Sequence, residues 1–202
     1  MAKKNINYKP WIIAGIVVIT LLVIVSWVAG MYNGLVLTDE TVDEKWANVQ
    51  SAYQRRADLI PNLIATVEGY KDYEQETLTQ ITELRSQAGQ AKVNIDSATS
   101  PAQLEASMGE MNSALSRLLV IVENYPDLKA SENFLSLQDE LAGTENRIKV
   151  ERDIYNGAVK AYNVKVRSFP TNIVANMNGF EKDDEMFEAD AGSDVAPKVD
   201  FN

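Results

Sequence analysis

From Val42 onward the apolar and aromatic residues stand four and three apart in turn: Val42, Trp46, Val49, Tyr53, Arg56, Ile60, Leu63, Val67 and Tyr70. A step averaging about 3.5 residues is the repeat of helices packed nearly parallel or antiparallel in bundles and coiled coils. Thr41 with Glu44 offers a capping box at the start of this stripe. Apolar positions continue more loosely through Leu78, Ile81 and Leu84 and end near Gly89, after which residues 90–99 are polar, turn-rich and expected to form a loop. Pro61 interrupts the stripe, at a cost of roughly 3 kcal/mol in a helix interior. The apolar register nonetheless passes through it from Ile60 to Leu63 and Val67. A bend at Pro61 is therefore expected rather than an end.

Ser100-Pro101-Ala102-Gln103 opens a second helix, with Ser as cap, Pro at the first helical position and Gln three residues after the cap. Its stripe is Leu104, Met108, Met111, Leu115, Leu118, Val122 and Tyr125, closed by Pro126-Asp127. Ser131 is a candidate cap for the last long segment. That segment carries Phe134, Leu137, Leu141, Glu145, Ile148, Arg152, Tyr155, Val159, Tyr162, Val166 and Phe169, stops at Pro170, and leaves room for one short turn through Ile173 and Val174. Long helices with short connections predict an all-α protein, an antiparallel bundle of three to four long helices; the number depends on whether Pro61 divides the first.

Residues 11–30, WIIAGIVVITLLVIVSWVAG, carry no charge. Twenty helical residues cover about 30 Å, the thickness of a bilayer's hydrocarbon. Tyr8, Trp11, Trp27 and Tyr32 flank the run where interfacial aromatics belong. A cleaved signal peptide fits less well, because the run is long for one and no A-x-A site follows. Lys3, Lys4 and Lys9 precede the run and only Lys45 closely follows it, so the positive-inside bias puts the N-terminus in the cytoplasm and the bundle outside. The expected organisation is a basic tail over 1–10, a transmembrane helix over 11–30, a helical bundle over 31–180 and a mobile acidic tail over 181–202. An isolated Phe201 in the final stretch is read as solvated.

All 29 acidic residues lie beyond the run with 16 of the 19 basic ones, a net charge of −13 that repels nucleic acid. The chain has no cysteine and no histidine. That excludes disulfides, thiolate or imidazole metal sites, cysteine nucleophiles and Ser-His-Asp catalysis. No phosphate-binding glycine loop or EF-hand occurs, and Asp190-Ala-Gly-Ser-Asp194 lacks the alternating oxygen ligands of a calcium loop. No catalytic residue, cofactor or metal site is expected.

Three charges interrupt the stripes: Arg56 in the first helix, Glu145 and Arg152 in the last. Buried charges persist only when paired and hydrogen-bonded, so Glu145 is expected to meet Arg56 or Arg55 across the bundle, with Asn62, Asn146 and Asn156 available to complete a polar layer that also includes Arg152. The alternative is that these long side chains snorkel to solvent. Tyr155-Asn156 and Tyr162-Asn163 repeat at a heptad interval, echoed by Tyr32-Asn33. They are read as core aromatics whose hydroxyls reach the bundle edge.

Several motifs together resemble the LemA family of bacterial membrane proteins: YNGLV at 32–36, VDEKWANV at 42–49, RRADLIPNLIATVEGY at 55–70, YPDLKASENFLSLQDELAGTENRI at 125–148, RDIYNGAVKAYNVKVRSFP at 152–170 and APKVDF at 196–201. The resemblance covers nearly the whole chain beyond residue 30, more loosely over 90–120. It implies an N-terminal anchor followed by an antiparallel bundle and brings no catalytic or metal residues. Some members are associated with a membrane zinc metalloprotease of the HtpX type, and relatives occur in membrane-remodelling organelles. The expected function is a non-enzymatic scaffold or adaptor, held in the lipid bilayer through residues 11–30 and offering a protein partner a helical surface, with homo-oligomerisation a natural extension. The alternatives are a regulator of a membrane protease, a carboxylate-dependent enzyme, and a surface sensor whose tail binds cations.

Overall fold

The computed structural model describes residues 9–70 and 73–188; the expected tail beyond residue 188, including Phe201, lies outside the described residues. Among these the chain forms α1 (Lys9–Glu68), α2 (Gln75–Asp96), α3 (Pro101–Glu123), α4 (Pro126–Lys129), α5 (Glu132–Arg167) and α6 (Thr171–Asn178), with no strand. The fold is all-helical.

α1 is one helix. The uncharged run and the first bundle stripe are continuous in it, so no helix starts at Thr41; the Thr41 hydroxyl donates to the Leu37 carbonyl within the helix. Pro61 lies inside α1 and removes the hydrogen bond its N–H would give the carbonyl one turn earlier. Leu59, Ile60, Leu63, Ile64 and Val67 are buried on either side of it and offset that loss. The break falls instead at Gly69 and Tyr70, whose N–H groups close the last turn on Ala65 and Val67.

The expected loop over 90–99 is mostly helix. α2 continues to Asp96 because Ala88, Ala91 and Ile95 keep a buried face at helical spacing, with Ala98 buried just beyond. Only residues 97–100 connect it to α3. There Ser100 Oγ accepts from the Gln103 N–H, Pro101 takes the first turn, and Gln103 Oε1 accepts from the N–H of Thr99, one residue before the cap. Ser131 precedes α5, but its Oγ has no hydrogen-bond partner among the described residues. α6 ends at Gly179, whose φ of 77° is the left-handed conformation that a glycine adopts without strain.

The helices distribute between two compact units. One comprises residues Asp43–Val159 together with the chain from Asp184. Its ion pairs and hydrogen bonds fix the topology. Trp46 on α1 packs against Tyr155 on α5, and ten residues further along α1 Arg56 pairs with Glu145, ten residues back on α5. Asp58 and Glu68 of α1 meet Lys92 and Arg85 of α2, again in reverse order. Arg117 of α3 reaches Glu83 while Glu110 accepts from Asn94 of α2. Each neighbouring pair is antiparallel, giving a four-helix up-and-down bundle with a core of Val49, Ile60, Leu63, Ile81, Leu84, Leu104, Met111, Leu118, Phe134 and Val159.

The other unit comprises the chain up to Val42 and Lys160–Asp183. Its buried apolar residues are Leu35, Val42, Tyr162, Val166, Val174 and Ala175. Tyr32 meets Phe180 edge to face at 5.8 Å, and Lys165 Nζ donates to the Gly34 carbonyl. The side chains of residues 11–30 are exposed throughout, and this part of α1, which reaches a mean hydropathy of 2.9 over 18 residues, is long and apolar enough to cross a membrane.

Candidate functional site

The charges expected to share one layer fall into separate environments. Arg56 is buried, its side chain 9% exposed. Its Nη1 pairs with Glu145 and donates to the Leu141 carbonyl, while Nη2 donates to Asn112 Oδ1 at 3.1 Å. Nε has no partner among the described residues. Glu145 does not sit in the core: its side chain is 62% exposed, because Thr144 and Ile148 take the buried positions on that turn. The guanidinium therefore reaches outward from α1 to a solvated carboxylate. Arg55, Asn62 and Asn146 are exposed and stand outside this arrangement.

Arg152 pairs with Glu105 of α3 at 2.6 Å, lies 4.9 Å above the ring of Phe187, and donates to the Glu188 carbonyl at 2.8 Å. Residues 181–188 were expected to begin a mobile tail, yet Phe187 is buried, at 5% exposure, and packs against Trp46, Tyr53 and Tyr155 at ring distances of 6.2, 6.2 and 5.7 Å. Burying such a side chain contributes about 1.5–3 kcal/mol toward ordering this segment, and the backbone hydrogen bonds described next add to it. Asn156, expected in the polar layer, instead grips this segment by its main chain: Nδ2 donates to the Phe187 carbonyl at 2.8 Å and Oδ1 accepts from the Phe187 N–H at 2.9 Å. Tyr155 Oη donates to the Glu185 carbonyl at 2.9 Å. In the other unit, Asn163 holds Asp183 in the same two-handed way, at 2.6 and 2.9 Å.

The repeated Tyr-Asn pairs thus have two jobs. Tyr155 and Tyr162 are buried, as core aromatics should be, and the asparagines beside them clasp backbone. The signal was present in the sequence, since an asparagine recurring at a heptad interval on a stripe edge has amide groups to satisfy. Its partner was not visible, because the chain it holds offers main-chain atoms. Phe187, Glu105, Asn112 and Trp46 were also not singled out as members of these sites.

Burial pushes the Tyr53 phenol up to about 12, partly opposed by the neighbouring Arg152 guanidinium. Tyr162 is raised in its own unit, first by burial and then by Asp39, Asp183 and Glu181. Both phenols stay neutral at physiological pH. Among the described residues no group of three or more acidic side chains is placed to hold a metal ion.

A groove of about 560 Å³ opens between α1 and α5 of the bundle, lined by Asn48, Ser51, Gln54, Arg55, Asp58, Arg147 and Glu151 among others. A second depression of about 310 Å³ shares Arg55 and Arg147 with it and adds Glu140, Gly143 and Thr144. Unlike Arg56 and Arg152, these two arginines make no ion pair within 4 Å among the described residues.

The LemA protein of Metamycoplasma hominis is 32% identical over 146 residues, 72% of this chain and 64% of that protein, so the chain spans less than two thirds of that relative's length. Magnetosome protein MamQ 1 of Paramagnetospirillum magneticum and magnetosome protein MamQ of Magnetospirillum gryphiswaldense are each 25% identical, over 88% and 90% of this chain and 73% and 75% of their own lengths. The family match itself runs over residues 45–201, from the bundle part of α1 through the clasped segment, and the chain belongs to the LemA family.

Proposed function

We propose that this chain is a non-enzymatic adaptor, anchored in a bilayer through residues 11–30 with its N-terminus cytoplasmic, that binds a protein partner along the groove between α1 and α5. The observation that carries the reading is the division among its arginines. Arg56 and Arg152 are spent internally, on Glu145, Glu105 and main-chain carbonyls. Arg55 and Arg147 line an open groove with no ion pair of their own among the described residues. On a domain whose net charge is strongly negative, two such guanidinium groups provide a local site for a partner's carboxylates, through planar, two-pronged hydrogen bonds.

Crosslinking intact spheroplasts with a membrane-impermeant reagent, followed by purification in mild detergent, tests both parts. Crosslinked partners should be recovered with the unaltered chain and lost in an Arg55→Glu/Arg147→Glu double variant. An identical set from the variant overturns the groove. Partners reached only by a membrane-permeant reagent overturn the orientation. Recovery of a zinc metalloprotease would make the adaptor a protease regulator; recovery of the bait alone as a large assembly would make the partner a second copy.

A further inference from the structure

Residues 168–180, SFPTNIVANMNGF, hold no charge, the longest such stretch beyond α1's apolar run. They connect α5 to the clasped segment and contain α6. Val174 and Ala175 of α6 are buried, while Ile173 and Met177, one helical turn apart on its other side, are 52% and 81% exposed. Phe169, four residues before Ile173, is 81% exposed. Three large apolar side chains offered to water within nine residues form a patch of the kind that marks a binding surface.

What covers the patch is indicated by its position within its own unit. Tyr32 contacts Phe180 at 5.8 Å, and Lys165 donates to the Gly34 carbonyl, so the turn from α5 through α6 lies beside residues 32–34 of α1. Those residues follow Gly30, the end of the twenty-residue apolar segment 11–30, by two to four positions, about 3–6 Å of helix rise. That is the depth of the headgroup region if residues 11–30 fill the hydrocarbon. An uncharged helix with one buried and one apolar exposed face, held there, has the lipid surface as its continuous neighbour. Lys165 stands at the same level, where its ammonium is in reach of lipid phosphates.

We infer that α6 and Phe169 form a second, interfacial membrane contact, with Phe169, Ile173 and Met177 inserted at the boundary between headgroups and acyl chains. The inference rests on residues 11–30 spanning the bilayer. The contact stabilises the junction between span and α5 by adding about three partly buried apolar side chains to the membrane-bound area.

The absence of native cysteine allows single-site labelling. Full-length Met177→Cys and Ile173→Cys variants, each carrying an environment-sensitive fluorophore, are reconstituted in vesicles of phosphatidylethanolamine and phosphatidylglycerol. Val23→Cys in the span and Val93→Cys on α2 serve as references. The 173 and 177 labels should emit to the blue of the 93 label. A nitroxide near the headgroup end of the acyl chain should quench them about twofold more than one at the bilayer centre, since interfacial helices bury only ~5–10 Å deep. Labels as water-accessible as that at 93 overturn the inference, and so do labels shielded from water but untouched by lipid nitroxides, which would mean that protein covers the patch. The 23 label separates the two readings: its quenching from the bilayer centre upholds the span whether or not α6 binds lipid, and its failure removes the span itself.

Discussion

Arg56 and Arg152 break the apolar stripes in the same way, and the bundle handles them differently. Arg56 is almost sealed, held by two helices and a solvated glutamate, with one nitrogen unpartnered among the described residues. Arg152 is more open, at 20% exposure, and its partners include a ring and a carbonyl from a segment outside the helices. The first therefore acts within the bundle proper. The second acts as a fastening: it couples the α3–α5 contact to Phe187 and Glu188. A charge on a helical stripe need not define a layer, because its function follows from what the next chain segment brings to it.

Three measurements can break or sharpen that contrast. The largest effect belongs to Arg56→Ala, which leaves a void and removes the donor to Asn112 Oδ1 and the partner of Glu145. The loss expected in chemical denaturation of the full chain in detergent is about 3 kcal/mol. A change within about 0.5 kcal/mol would place Arg56 among surface residues. On the Arg152 side, the folded Tyr53 phenol holds its proton to about 12 while the unfolded one loses it near 10.0. The folded state then binds more protons between those values. This contribution is intact below pH 10 and is lost as pH rises toward 12, about 3 kcal/mol in all. Tyr53→Phe should flatten the decline; an unchanged slope would assign it elsewhere. The smallest effect is that of Asn156→Ala, about 1 kcal/mol. Hydrogen exchange should quicken at Phe187 while the cores of α2 and α3 keep their protection; uniform loss of protection would make the clasp part of the global fold.

Much of the helical frame was legible. The stripe through Val42–Tyr70 and the Ser100-Pro101 start carried enough regular spacing to locate α3 and the bundle part of α1, because packing of large apolar residues repeats with the helix turn. The end of α2 was not legible, since Ala88 and Ala91 are weak hydrophobic signals among polar neighbours and only their burial reveals the face. Pro61 drew attention away from Gly69, where the helix ends without any proline. Of the candidate site, Arg56 and Glu145 could be singled out because charges on a stripe demand partners. Phe187 could not, because it lies in an acidic stretch and is held through main-chain atoms that look alike in every sequence.

The asparagine clasps carry a consequence for how the segment can change over time. Asn156 and Asn163 each engage an N–H and a C=O, groups that every residue but proline supplies. Such a grip senses the direction and spacing of the chain it holds and is blind to most of its side chains. The buried Phe187 ring adds identity to that grip. Both clasps hold the path of the chain, so any residue that keeps its backbone N–H, proline alone excepted, still offers them the groups they bind.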